Sequence, residues 1–107
     1  MRAIVILAAL AVSPPAWCEE PRIIDVTLAG HQFSPAEIHV PASTPVQLRV
    51  VNRDDTVEEF DSSALKIEKV ILPGQTAIIR LRPMAPGRFP FMGEFHSDSA
   101  RGVVIAE

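Results

Sequence analysis

The sequence predicts an all-β sandwich or barrel of seven or eight short strands, and three observations carry that expectation. Apolar and polar residues alternate with period two in several short runs. Turn chemistry interrupts those runs at roughly 8–12-residue spacing. Ten prolines are scattered through 107 residues, and no stretch shows a useful amphipathic helical pattern; proline removes a backbone donor and breaks helices.

The elements follow in order. Ile23 to Leu28 alternates Ile24, Val26 and Leu28 against Asp25 and Thr27, and Gly30 ends it. Glu37 to Val40 is a second strand between Pro35 and Pro41. Val46 to Val51 runs into the turn Asn52-Arg53-Asp54-Asp55, and Val57 to Asp61 follows. Lys66 to Leu72 stops at Pro73-Gly74, and Gln75 to Leu81 is β-rich. Pro83 to Gly87 is a turn before the last two strands, Arg88 to Met92 and Gly102 to Ala106. Only Ser62 to Leu65 has room for a helical turn.

The first residues are expected to lie outside this fold. Arg2 is the only charge before Glu19, Ala3 to Val12 is an unbroken apolar run, and Ser13-Pro14-Pro15 breaks it. This is the order of a secretory signal peptide. The run is much shorter than the ~20 apolar residues of a spanning helix. Cleavage after Ala16-Trp17-Cys18 divides the chain into a signal peptide, 1–18, and one domain, 19–107. It yields a periplasmic protein with no membrane insertion after cleavage. Trp17 is too large for the small residue that lipidation of Cys18 requires directly before it. Cys18 is the only cysteine, so the mature chain has neither disulfide nor thiolate. Its nine basic and thirteen acidic residues, with no basic run, argue against nucleic acid as a partner. No phosphate loop, dinucleotide fingerprint, zinc-protease motif or nucleophile elbow is present, and an enzyme is not expected.

Three stretches together resemble the cupredoxin family. Asn52-Arg53-Asp54-Asp55-Thr56-Val57-Glu58-Glu59-Phe60 is similar to the family's N-x-D-x-x-x-H-x-F, with Glu58 in place of the first copper-binding histidine. Gly87-Arg88-Phe89-Pro90-Phe91-Met92-Gly93-Glu94-Phe95-His96 resembles G-x-Y-x-F-x-C-x-x-H, with Gly93 at the cysteine position and His96 matching the second histidine. Ser99 or Ala100 falls where the axial methionine belongs. Phe33-Ser34-Pro35-Ala36-Glu37-Ile38-His39-Val40-Pro41-Ala42 is similar to F-x-P-x-x-I-x-V-x-A/K-G, and Ser43 takes the glycine place, so that turn is expected to avoid positive φ. The resemblance implies a cupredoxin-like, antiparallel Greek-key β-sandwich. A type 1 blue-copper centre needs two histidines and a thiolate, of which only His96 remains, so no such centre is expected.

A narrower likeness is to small periplasmic cupredoxin-like proteins that accompany bacterial iron uptake, and to the cupredoxin domain of the Efe-type iron-uptake protein. It implies an iron permease or other periplasmic transport component as partner. In the cupredoxin arrangement the loop before the last strand folds back beside Asn52–Phe60. That brings Glu58 or Glu59 towards Glu94 and His96, with Met92 close and His31 at the same end. Carboxylates with imidazole suit iron first and copper second. The alternative is that the three glutamates are solvated and the fold serves as a metal-free interaction module. His39 is expected to face solvent and Met84 to fill a core gap. Phe60, Phe89, Phe91 and Phe95 are expected in the core or at a pocket rim.

Overall fold

The computed structural model describes residues 2–6, 8–9 and 22–107. The expected cleavage point after Cys18 lies outside the described residues. Among them, no helix is long and apolar enough to cross a membrane.

Among the described residues, nine strands build two sheets: β1 (Arg22–Ala29), β2 (Gln32–Ser34), β3 (Glu37–Val40), β4 (Val46–Asn52), β5 (Glu58–Ser62), β6 (Ile67–Ile71), β7 (Thr76–Leu81), β8 (Gly87–Gly93) and β9 (Arg101–Ala106). One sheet has the order β2-β1-β4-β7, the other β3-β9-β8-β5-β6. The chain passes repeatedly from one sheet to the other. Consequently β1 pairs with β4 and β3 with β9 in parallel, while the remaining pairs are antiparallel. The expected sandwich is present, with these two parallel pairings correcting the purely antiparallel expectation.

Alternation decides which side chains enter the space between the sheets. β7 shows it fully: Ala77, Ile79 and Leu81 are buried, while Thr76, Ile78 and Arg80 are exposed. Val26 and Leu28 of β1, Leu48 and Val50 of β4, Ile38 of β3 and Val104 of β9 join them in the core. Complete burial of such side chains contributes about 1.5–3 kcal/mol each. Towards one end, Phe33 meets Phe60 and Phe91 edge-on at centroid distances of 5.9 and 5.1 Å, and Phe60 stacks on Phe91 at 4.7 Å. Met84 fills the core as expected, and Phe89 is half-buried against it.

Three local features depart from expectation. Strand β2 is too short, at three residues, to show a period, and it forms only through pairing with β1. Ser43 adopts φ 57° despite carrying a Cβ. Its N–H donates to the Met84 carbonyl at 2.8 Å, and the neighbouring Ala42 N–H donates to the Glu107 carbonyl at 3.0 Å. Those long-range bonds hold a backbone conformation that local preference disfavours. Among the described residues, the one short helical element is a 3-10 turn over Glu94–His96, outside the Ser62–Leu65 segment expected to hold it.

Candidate functional site at the mouth of the sandwich

The site begins with Asn52. Its buried amide donates to the Thr56 carbonyl at 2.9 Å and the Ile71 carbonyl at 3.0 Å, and its Oδ1 accepts the Asp54 N–H at 3.0 Å. The loop from β4 is thereby fixed, and β5 starts with a defined face inward. Period two then sends Glu58, Phe60 and Ser62 into the sandwich and turns Glu59 and Asp61 outward.

Glu58 is completely buried, at 0% exposure. An isolated carboxylate cannot be held there without partners, and this one has three. Oε1 accepts the Phe95 N–H at 2.8 Å and the Glu59 N–H at 3.1 Å. Oε2 lies 2.6 Å from Nδ1 of His96, which donates to it. Space for the carboxylate comes from Gly93: a Cβ there would fall 2.6 Å from Glu58 Cδ and 2.8 Å from both Oε2 and the Ala100 Cβ. The carboxylate thus occupies the room a side chain at position 93 would need.

His96 sits on the 3-10 turn with its side chain 25% exposed. Its Nε2 lies on the far side of the ring from the buried contact. His31, from the β1–β2 turn, stacks on it with centroids 3.6 Å apart and planes inclined by 11°. His31 Nε2 is 3.3 Å from Thr56 Oγ1.

The remaining expected site residues lie elsewhere. Glu59 joins Asp61 and Glu68 on the outer face of the five-stranded sheet, with ligand atoms within 4.8 Å of one another; among the described residues this is the one group of three metal-ligating side chains so gathered. Such a group is able to hold a cation, although exposed carboxylates commonly cluster without one. Glu94 belongs with it and not with His96. Hydrogen bonding to Asp61, then the negative charges of Asp61, Glu59 and Glu68 together with partial desolvation, raise its pKa above the usual carboxylate range. Met92 is half-buried opposite Asp61 and Arg101, where it lines a cleft of about 250 Å³ with Ser62, Ser63 and Pro90. The sequence grouping of Glu58, Glu59, Glu94, His96, Met92 and His31 therefore divides in two. Glu58, His96 and His31 meet at the mouth; Glu59 and Met92 lie on the outer face because alternate residues of β5 and β8 point to opposite sides, and Glu94, on the 3-10 turn, is held there by Asp61.

Asp61 and Glu68 were missed from sequence. The i, i+2 spacing of Glu59 and Asp61 puts them on one face, but Glu68 joins only through the β5–β6 register, in which Asp61 faces Glu68. His39 is solvent-facing as expected, at the other end, bound through Nδ1 to Glu107 at 2.7 Å and through Nε2 to Glu37 at 3.1 Å.

Residues 2–106 match the family described as cupredoxin-like domain. The chain belongs to that family. It is 40% identical over 82 residues to an uncharacterized protein of Rickettsia prowazekii (strain Madrid E), a stretch covering 77% of this chain and 66% of the relative. Among solved structures it is similar to auracyanin A, a "blue" copper protein from Chloroflexus aurantiacus. The TM-score is 0.70 at 14% identity, with 82% of this chain and 100% of the other covered. It is also similar to the metal-binding domain of the Cu(I)-exporting P-type ATPase CopA of Streptococcus pneumoniae D39, with TM-score 0.68, 18% identity and coverage of 79% and 84%. At such identities the likeness is one of fold. A type 1 copper centre does not fit the cupredoxin-like domain of this chain: Gly93 offers no thiolate, and the Glu58 carboxylate fills the space beside it.

Proposed function

We propose that this protein is a metal-handling member of the cupredoxin-like family. In this reading it works in the periplasm and passes a transition ion to or from a transport partner, such as a permease. The observation that carries the reading is the Glu58–His96 contact. A buried carboxylate that holds one nitrogen of a partly exposed imidazole fixes the ring's tautomer and orientation and leaves the lone pair of the other nitrogen free for a ligand. This is the arrangement that supports metal-bound histidines. Nε2 of His96 is the donor so presented.

The geometry shifts the order of ions. Iron stood first while Glu59 and Glu94 were expected beside His96. With those carboxylates on the outer face, the mouth offers imidazoles, which suit copper and zinc as well as iron, and copper binds such donors with the higher intrinsic affinity. Copper therefore comes first and iron second, with a partner in copper or iron transport accordingly.

One observation favours a second reading, a metal-free interaction module: the Glu58 carboxylate already has its three donors. Calorimetric titration of the mature protein with Cu(II), Fe(II) and Zn(II), beside His96→Ala, separates the two. A single site lost in the variant supports metal handling. Equal and weak binding by both proteins supports the interaction module.

A further inference from the structure

The turn that brings His31 to the mouth is a two-residue hairpin turn of the kind that matches the twist of its flanking strands. Two residues join β1 to β2, and both are left-handed, Gly30 at φ 60° and His31 at φ 56°. Glycine adopts this conformation freely, and histidine tolerates it better than most residues with a Cβ. Here the surroundings are specific. Asp54, from the β4–β5 loop, accepts the Gly30 N–H through Oδ1 at 2.7 Å and the His31 N–H through Oδ2 at 3.0 Å. Ser99, three residues beyond His96, donates its hydroxyl to the His31 carbonyl at 2.7 Å. Asp54 is itself tied to the buried Asn52. These amides border solvent, and water serves the amides of an exposed turn equally well. What the clamp adds is a fixed position for the His31 ring, flat against His96.

We propose that His31 is the second imidazole donor for the ion taken by Nε2 of His96, and that Asp54 is the residue that positions it. This rests on the reading of His96 given above. The rings are near enough to share an ion after a small movement: their centroids are 3.6 Å apart, and two nitrogens bound to one ion at about 2.0–2.1 Å each lie no more than about 4.2 Å apart. The lone pairs of stacked rings run side by side, so the rings must splay to converge on one ion. In doing so His31 gives up part of its stacking on His96 and the 3.3 Å approach of its Nε2 to Thr56 Oγ1. Asp54 touches only the backbone of the turn and remains in place as the ring turns.

The test uses the whole mature protein, with Cu(II) alone as probe. Calorimetry gives affinity, and paramagnetic resonance counts the bound nitrogens. Wild type is expected to show two imidazole nitrogens. His31→Asn, which tolerates the left-handed turn, is expected to show one and to bind at least 10-fold more weakly. Asp54→Ala is expected to weaken binding about 10- to 100-fold, as loss of a positioning group does, and to diminish the His31 nitrogen signal. Asp54→Asn, which retains one acceptor for the two amides, is expected to fall between. If His31→Asn leaves affinity and spectrum unchanged while His96→Ala abolishes binding, the role of His31 is overturned and that of His96 stands. If neither variant changes binding, both are overturned. An Asp54→Ala protein that melts earlier yet keeps two nitrogens and full affinity overturns the positioning role alone.

Discussion

Substituting Gly93 by alanine tests whether the mouth is organised around the Glu58 carboxylate. The backbone at Gly93 is ordinary, φ −87° and ψ 111°, so any cost comes from contacts and not from conformation. A new Cβ would lie 2.6 Å from Glu58 Cδ and 2.8 Å from its Oε2 and from Ala100 Cβ. Ordinary contact begins near 3.4 Å, so the carboxylate must retreat by about 0.8 Å. That movement acts on bonds of 2.6 Å to His96 and 2.8 Å to the Phe95 amide. Overpacking a core costs about 1–3 kcal/mol, and a hydrogen bond to a charged group contributes about 1.5–3 kcal/mol. Gly93→Ala is therefore expected to destabilise the fold by about 3–5 kcal/mol, and the melting temperature to fall by at least about 12 °C at roughly 4–8 °C per kcal/mol. The decisive assay is a double-mutant cycle by urea unfolding. Glu58→Ala alone leaves two amides and an imidazole without their acceptor and costs about 3–5 kcal/mol, but it removes the main obstacle to a Cβ at position 93. Gly93→Ala should then cost at least about 2 kcal/mol less in the Glu58→Ala background than in wild type. Equal costs in the two backgrounds would refute the claim that the carboxylate fills the place of that side chain.

Two pH-dependent predictions follow from charges away from the mouth. The folded-state pKa of Glu94 is raised, mainly by Asp61, so its contribution favours folding at low pH and is lost as pH rises through the folded value. Glu94→Gln should melt later than wild type at pH 7, and the difference should shrink as pH falls through the carboxylate range; a gap that widens on acidification contradicts the assignment. The pKa of His39 is raised too, first by its bond to Glu107 and further by the charges of Glu107 and Glu37. Its contribution is full below about 6.5 and disappears as pH rises through the raised value. Glu107→Gln should flatten that part of the stability profile, and an unchanged profile would show that the contact carries no free energy.

Alternation in Ile23–Leu28 and Lys66–Leu72 and the β-rich run Gln75–Leu81, with glycine and proline between, were enough to determine an all-β sandwich. Side-chain period and turn chemistry are local properties, and they act before the chain is folded. Local rules also placed Glu58 and Glu59 on opposite faces of one strand. The sequence motifs around Glu58 and His96 brought the correct two segments to one end of the molecule.

What they left open was decided by contacts between distant residues. Strand β2 exists because β1 pairs with it. Ser43 accepts φ 57° because Met84 supplies a carbonyl to its N–H. Glu68 reaches Asp61 only through hairpin register, and hydrogen bonding to Asp61 holds Glu94, on the 3-10 turn, at that outer acidic face and away from the mouth. The stacking of His31 on His96 and the fit of Glu58 beside Gly93 have no counterpart in any local pattern. Each depends on where two sheets and their loops come to rest. A residue's neighbours along the chain govern its backbone and its face, whereas packing across the sandwich governs which side chains share a space and which charges can be buried there.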